Sequence, residues 1–157
     1  MVKEIERDSY FPEAVGETKV FGTHSIQCTS LIPGVYTERT FVVNGKTVNH
    51  LQIDWIDGLG IEINKLLPLL ERIATLEEQN PGSSIYHCLA GYGRTGTLFA
   101  ALITKQLFDQ IPDLTGLFFD PEVIIRGLRQ QRKAMIASGE QVRTLIELVQ
   151  ALTRKRL

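Results

Sequence analysis

The sequence predicts an α/β fold: a twisted mixed β-sheet with a parallel centre and antiparallel hairpins at its edge, flanked by helices on both faces. Three observations predict it. The first third of the chain is strand-like and carries a hairpin signal at Asn44-Gly45. A short apolar run, Ile85-Tyr86-His87-Cys88, lies between two helical stretches, the order that makes a central parallel strand. The rest of the chain holds four stretches with helical spacing or helix-end signals. The 157 residues suffice for one domain with a real core, and 1–157 reads as a single compact domain without repeats, linkers or low-complexity segments.

In chain order, residues 1–16 are polar and turn-rich around Tyr10-Phe11-Pro12. Thr18 to Leu31 is β-like, with Val20, Phe21, Thr23, Ile26, Cys28 and Thr29, and a Pro33-Gly34 turn follows. Val35 to Val43 is a second strand, and Asn44-Gly45 turns it into a third over Lys46 to Ile53. Three antiparallel strands are therefore expected. Cys28 is expected to pack as a small apolar residue. His24 and His50 lack ligand spacing to another His or Cys, so no metal site is expected. Gly58 and Gly60 make 54–60 a loop, with Trp55 as its anchor and two acids, Asp54 and Asp57.

Helical periodicity then runs through Ile61, Ile63, Leu66, Leu67, Leu70, Ile73 and Leu76. Asn64 is expected to cap this helix, leaving Pro68 in the first turn or just past it, and Asn80-Pro81-Gly82 ends it. Thr97 to Phe108 is nearly all apolar, so a buried helix is expected. Asp120 and Pro121 fit the N-cap and first position of a helix reaching about Arg132, with Val123, Ile124, Gly127 and Leu128 inward. A last helix from about Glu140 to Lys155 would turn Val142, Leu145, Ile146, Val149 and Leu152 inward. Arg154, Lys155 and Arg156 at its end suit the helix dipole.

The chemistry concentrates in His87-Cys88-Leu89-Ala90-Gly91-Tyr92-Gly93-Arg94-Thr95-Gly96. Five residues separate Cys88 from Arg94. A loop between a strand end and a helix N-terminus points N–H groups inward, and such a nest binds an oxyanion. Arg94 adds a planar fork that matches phosphate in two places. A thiol on the floor of that nest is pushed toward thiolate, its nucleophilic form. Two other readings compete. Gly91 to Gly96 fits G-x-G-x-x-G, but too little sequence follows for a dinucleotide domain. Cys88 could also be a structural thiol beside an ordinary turn.

Composition excludes several classes. Hydrophobic residues make up 43% and charged residues 22%, as in a globular protein. A net charge of −1 gives no reason to expect nucleic acid or an anionic membrane. Two cysteines are too few for a disulfide framework. No apolar leader opens the sequence, and no stretch is long enough to insert in a membrane. With Cys88 needed as a thiolate, a cytoplasmic setting fits, the alternative being a bacterial effector exported to act in host cytosol.

The string His87, Cys88, then Arg94 and Thr95, closely resembles the signature of cysteine-dependent protein tyrosine phosphatases. Asp54-Trp55-Ile56-Asp57-Gly58 looks like that family's mobile acid loop, Trp-Pro-Asp-x-Gly, with Ile56 in place of proline. Residues 129–141 resemble the late motif of its tyrosine-specific branch, Arg-x-x-Arg-x-x-Met-Val-Gln-Thr-x-x-Gln, with Arg132 and Gln141 aligned and Ala137 where the first glutamine falls. Tyr10-Phe11-Pro12, Tyr36 to Phe41 and Val48-Asn49-His50 match weaker segments in the right order.

The resemblance implies a protein tyrosine phosphatase-like fold and hydrolysis of phosphotyrosine through a phosphocysteine on Cys88. It implies that Arg94 and the N–H groups of Leu89, Ala90, Gly91, Tyr92, Gly93 and Arg94 hold the phosphate. Asp57 matches the general acid, Asp54 being the runner-up. Thr95 would ease departure of the sulfur, His87 would fix the loop, and Gln141 would help place water. No metal or cofactor is implied, the partner is a phosphorylated protein or peptide, and the thiolate would be redox-sensitive. Longer relatives carry an N-terminal substrate-clamp segment with no counterpart here, and their glutamate loop would fall near Glu4 or Glu6. Alternatives are a dual-specificity or lipid phosphatase, against which the lysine-free loop and the late motif argue, and a low-turnover phosphopeptide-binding module.

Overall fold

The structure is a computed structural model, and it describes residues 9–80, 82–111 and 119–155. Glu4, Glu6, Pro81 and Arg156 lie outside these residues. The chain divides into two compact units, Met1–Asp54 and Trp55–Leu157, each described by itself.

The first unit is a four-stranded antiparallel sheet in the order β1-β2-β3-β4. Its strands are β1 (Thr18–Phe21), β2 (His24–Ile32), β3 (Thr37–Val43) and β4 (Lys46–Gln52). The expected strand over Thr18 to Leu31 is thus two strands. Gly22 sits at φ +61°, a left-handed position that reverses the chain in mid-stretch. The Asn44-Gly45 turn is as expected, with φ +50° and +80° and Val43 paired to Lys46. Cys28 is buried against Phe11 and Phe41, and His50 lies over both rings. Phe11, read as part of a polar turn-rich stretch, is therefore a core residue.

The second unit is helical: α1 (Ile63–Gln79), α2 (Gly93–Gln110), α3 (Pro121–Gln131) and α4 (Gly139–Arg154). Helix α2 packs on α1, α3 and α4. Its inward stripe is Thr97, Ala100, Ala101, Thr104 and Phe108; Leu66 and Leu70 of α1, Ile136, and Gln141, Leu145 and Leu148 of α4 are also fully buried in this unit. Leu107 is exposed, so α2 is amphipathic within this unit rather than buried all round.

Several expected boundaries shift. Glu62, not Asn64, precedes α1 and caps it without its side chain, which leaves Pro68 inside the helix. The Glu62 carbonyl already accepts from the Lys65 and Leu66 amides at 3.0 Å each, so the helical ladder starts there. Asp120 caps α3 as expected, accepting from the Glu122 amide at 2.9 Å. Val123 is exposed and Ile125 buried instead, and in α4 Ile146 is exposed while Leu148 is buried. Both differences are a rotation of the inward stripe onto the i, i+3, i+7 positions the neighbours cover.

The expected strand at Ile85–Cys88 forms no ladder. Residues 83–88 are irregular, no strand among the described residues pairs with them, and Ile85 is 86% exposed. A parallel strand needs partners on its edges and cover on both faces, and within this unit neither is present among the described residues. The observed architecture is α/β, with an antiparallel four-stranded sheet and four helices. Among the described residues no helix is long and apolar enough to cross a membrane.

Candidate active site

Cys88, Arg94, Asp57, Thr95, Gln141, His87 and the 89–94 loop all lie in the second unit, and Asp54, the runner-up acid, does not. Cys88 precedes a turn in which Gly91 takes φ +76°. That geometry brings the Gly91 amide to 3.2 Å from the Cys88 sulfur. The turn passes directly into α2, which has no side-chain cap at Tyr92. The N–H groups of Gly93 and Arg94 at its start therefore have no side-chain cap and can face an anion.

Gly93 and Gly96, read from sequence as loop glycines, are helical. Their role is close approach. A Cβ on Gly93 would lie 3.1 Å from Gln141 Nε2, and one on Gly96 would lie 2.7 Å from the Ile136 amide nitrogen. Tyr92 carbonyl ties the two segments together by accepting from the Gly96 amide at 2.9 Å and the Ile136 amide at 3.2 Å.

Burial pushes the Cys88 thiol up. The Thr95 hydroxyl and amide and the amides of Gly91 and Ala90 together outweigh it, and hold the thiol at about 7 against an ordinary 9.0. Thr95 Oγ1 is buried and makes no well-aligned hydrogen bond. Its pull on the sulfur is one of position rather than of a formed bond. His87 is exposed, and its Nδ1 lies 3.3 Å from the Cys88 carbonyl oxygen, where a protonated Nδ1 would donate.

Arg94 and Asp57 come together. Arg94 Nε lies 3.2 Å from Asp57 Oδ1, an ion pair without hydrogen-bond alignment. Arg94 Nη1 donates to the Trp55 carbonyl at 2.9 Å. Asp57 is 76% exposed, as a group at a site mouth is. Asp54 ends the first unit and is exposed. Leu89, Ala90 and Tyr92 are exposed along the turn.

Gln141 is fully buried in the first turn of α4. Its Oε1 accepts from the Ala137 amide at 2.8 Å, and its Nε2 is buried without a partner beside Gly93. Three supporting residues were not given roles from sequence. Arg132 donates to the Ala90 carbonyl at 3.2 Å and packs under Gly91. Arg129 donates to the Met135 and Ile136 carbonyls at 2.9 and 2.8 Å. Thr144 holds Ile61. The two arginines lay in the late motif, which was a signal; Thr144 carried none.

A depressed thiol in an amide turn, at a helix N-terminus and beside an arginine, is built to bind an oxyanion against a nucleophile. The family model described as protein-tyrosine phosphatase matches residues 2–151, and the chain belongs to that family. It is 34% identical over 122 residues to tyrosine-protein phosphatase non-receptor type 18 of Mus musculus, covering 75% of this chain and 26% of that protein. It is 29% identical over 170 aligned positions to tyrosine-protein phosphatase corkscrew of Drosophila melanogaster, covering 94% of this chain and 19% of that one. Tyrosine-protein phosphatase 2 of Schizosaccharomyces pombe is 30% identical over 112 residues, which is 68% of this chain and 16% of that protein. The chain thus spans about a quarter or less of the length of these relatives.

Proposed function

We propose that residues 1–157 form one catalytic domain that hydrolyses phosphotyrosine in proteins or peptides through a phosphocysteine on Cys88. The observation that carries the reading is the Cys88 thiol held at about 7 within an amide turn whose Arg94 is paired to Asp57. The tyrosine-protein phosphatase names of its relatives support the substrate class.

In the first step the Cys88 thiolate attacks phosphorus. The S–P bond forms as the P–O ester bond breaks, and Asp57 gives its proton to the leaving oxygen. Arg94 and the amides of residues 89–94 hold the equatorial oxygens as charge spreads over them. The Arg94–Asp57 pair does not oppose this. The pair is exposed on its Asp57 side and lacks hydrogen-bond alignment, whereas a phosphate offers the guanidinium fork two aligned, charge-assisted hydrogen bonds. Phosphate therefore takes the guanidinium and leaves Asp57 at the ester oxygen. In the second step water attacks phosphorus, Asp57 takes its proton, and the S–P bond breaks to return the thiolate. Gln141 helps place that water, and Thr95 eases departure of the sulfur.

Around this site we place a sheet with a parallel centre and helices on both faces, of which residues 83–88 make no ladder among the described residues, and a cytosolic setting without nucleic acid or membrane partners. The test is hydrolysis of phenyl phosphate, whose leaving oxygen needs a proton. Wild type should turn over, and Cys88→Ser and Asp57→Ala should each lose orders of magnitude in kcat/KM. A silent wild type that still binds phosphotyrosine peptide would favour the second reading, a binding module. Ala137 and the bond that occupies Gln141 Oε1 motivate that alternative.

A further inference from the structure

Residues 55–59 bond to themselves. Trp55 Nε1–H donates to the Leu59 carbonyl at 2.8 Å, and the Leu59 amide donates to the Ile56 carbonyl at 3.2 Å. Gly58, at φ +77°, closes the turn. Asp57 is thus carried on a preformed body with two moorings inside the second unit. The front mooring is Arg94, through the Trp55 carbonyl and the Asp57 carboxylate. The rear mooring is Thr144. The Ile61 amide donates to Thr144 Oγ1 at 3.0 Å, a buried bond. The same hydroxyl lies 3.4 Å from the Ile61 carbonyl oxygen and 3.3 Å from that of Glu140, two acceptors for its one proton. Thr144 is 2% exposed. Gly60 passes so close that a Cβ would lie 2.6 Å from Oγ1.

The two moorings differ in kind. Arg94 is exposed to competition from a phosphate, which draws the guanidinium away from Asp57. Thr144 is buried and answers to nothing outside. We propose that the Thr144 hydroxyl is the fixed pivot of the acid loop, a positioning residue that sets where Asp57 stands once Arg94 has turned to phosphate. The proposal deepens the phosphatase reading and rests on it. Thr144 lies one turn beyond Gln141 on α4, so the pivot also registers acid delivery against water placement.

Thr144→Val keeps the shape and removes the hydroxyl, and Thr144→Ser restores it. Two substrates read the outcome in the full chain. Phenyl phosphate needs a proton on its leaving oxygen, and nitrophenyl phosphate scarcely does. For Thr144→Val the expected kcat/KM with phenyl phosphate falls on the order of tenfold to hundredfold, and with nitrophenyl phosphate less than about threefold. Inhibition by tungstate, which reads the cradle alone, stays unchanged, and Thr144→Ser recovers both rates.

Trp55 is the chain's one tryptophan, so its emission reports the loop directly. Its response to tungstate should change in Thr144→Val and persist in Thr144→Ser. Gly60→Ala presses a methyl onto the Thr144 hydroxyl and onto the Glu140 carbonyl beside it while keeping the hydroxyl; it should reproduce the leaving-group-selective loss, and if Thr144→Val does not fold, that loss together with an altered Trp55 response decides the matter. Equal losses on both substrates, or an unaltered Trp55 response, overturn the pivot. Wild type without Cys88-dependent turnover would instead overturn the phosphatase reading, with the Trp55 response still deciding the pivot.

Discussion

At Cys88 two opposing effects meet on one atom, and their balance can be read by titration. Burial favours the neutral thiol, while the Thr95 hydroxyl and the surrounding amides favour the thiolate and win, holding the group at about 7. The folded value is depressed, so the thiolate is present above pH 7 and is lost as pH falls through it. Alkylation of Cys88 by iodoacetamide should therefore rise with pH to a midpoint near 7, followed by peptide mass. Cys28, buried against Phe11 and Phe41, should stay unlabelled throughout. Thr95→Val should move the midpoint upward; an unmoved midpoint would show that the amides alone carry the shift. Ile136 poses a second contest. It is fully buried and sits at φ +62°, which a β-branched residue rarely adopts. Glycine there would relieve roughly 1–2 kcal/mol of strain. It would also forfeit a buried side chain, worth roughly 2–5 kcal/mol in Ile→Ala changes. Burial wins, so Ile136→Gly should destabilise by about 1–3 kcal/mol in urea unfolding.

The start of α4 gathers more of the site than any stretch outside the Cys88 loop. Ser138 caps it by accepting from the Gln141 amide at 3.2 Å, and Gln141 and Thr144 occupy its next two inward positions. Ser138→Ala should cost about 1 kcal/mol of stability and also loosen Gln141. Ala137 occupies the position where the resembling motif has glutamine, so release of phosphate from Cys88 is expected to be slow. Rapid-quench kinetics should then show a burst of phenol followed by slower turnover, and Ala137→Gln should shrink the burst by speeding the second step. A steady rate with no burst in the wild type would show that Gln141 suffices. What was legible at this scale was local. The Cys88–Arg94–Thr95 spacing lies within one turn and the helix, and Asp120 marks its own cap. Gly93 and Gly96 were misread because their small size answers to Gln141 and Ile136, residues far along the chain. Thr144 was invisible for the same reason, as its partner Ile61 is 83 positions away. The Ile85–Cys88 strand failed as a ladder because a strand is a property of its neighbours and not of its own residues.

Across the whole chain 17 basic residues nearly balance 18 acidic ones, leaving a formal net charge of −1. Such a chain has no strong monopole field to draw in a phosphorylated peptide. The attraction to expect is then that of the cradle itself, where Arg94, the N–H groups at the start of α2 and the amide turn act over a few ångströms. Range decides what salt can do. Raising chloride from about 0.1 M to about 1 M shortens the Debye length from roughly 10 Å to roughly 3 Å. Steering by a charged surface would be quenched over that range, with rates dropping by ~10-fold or more. Contacts made inside the cradle would be little screened. The kcat/KM for a phosphotyrosine peptide of near-zero flanking charge should therefore change by less than about threefold between these salt levels. Inorganic phosphate at the same ionic strength should inhibit strongly, because it enters the cradle rather than screening it. A steep loss in chloride alone would mean that a basic surface beyond Arg94 takes part in recognition, and replacing Arg132, which stands under Gly91 with its guanidinium on the Ala90 carbonyl, would be the first way to locate it.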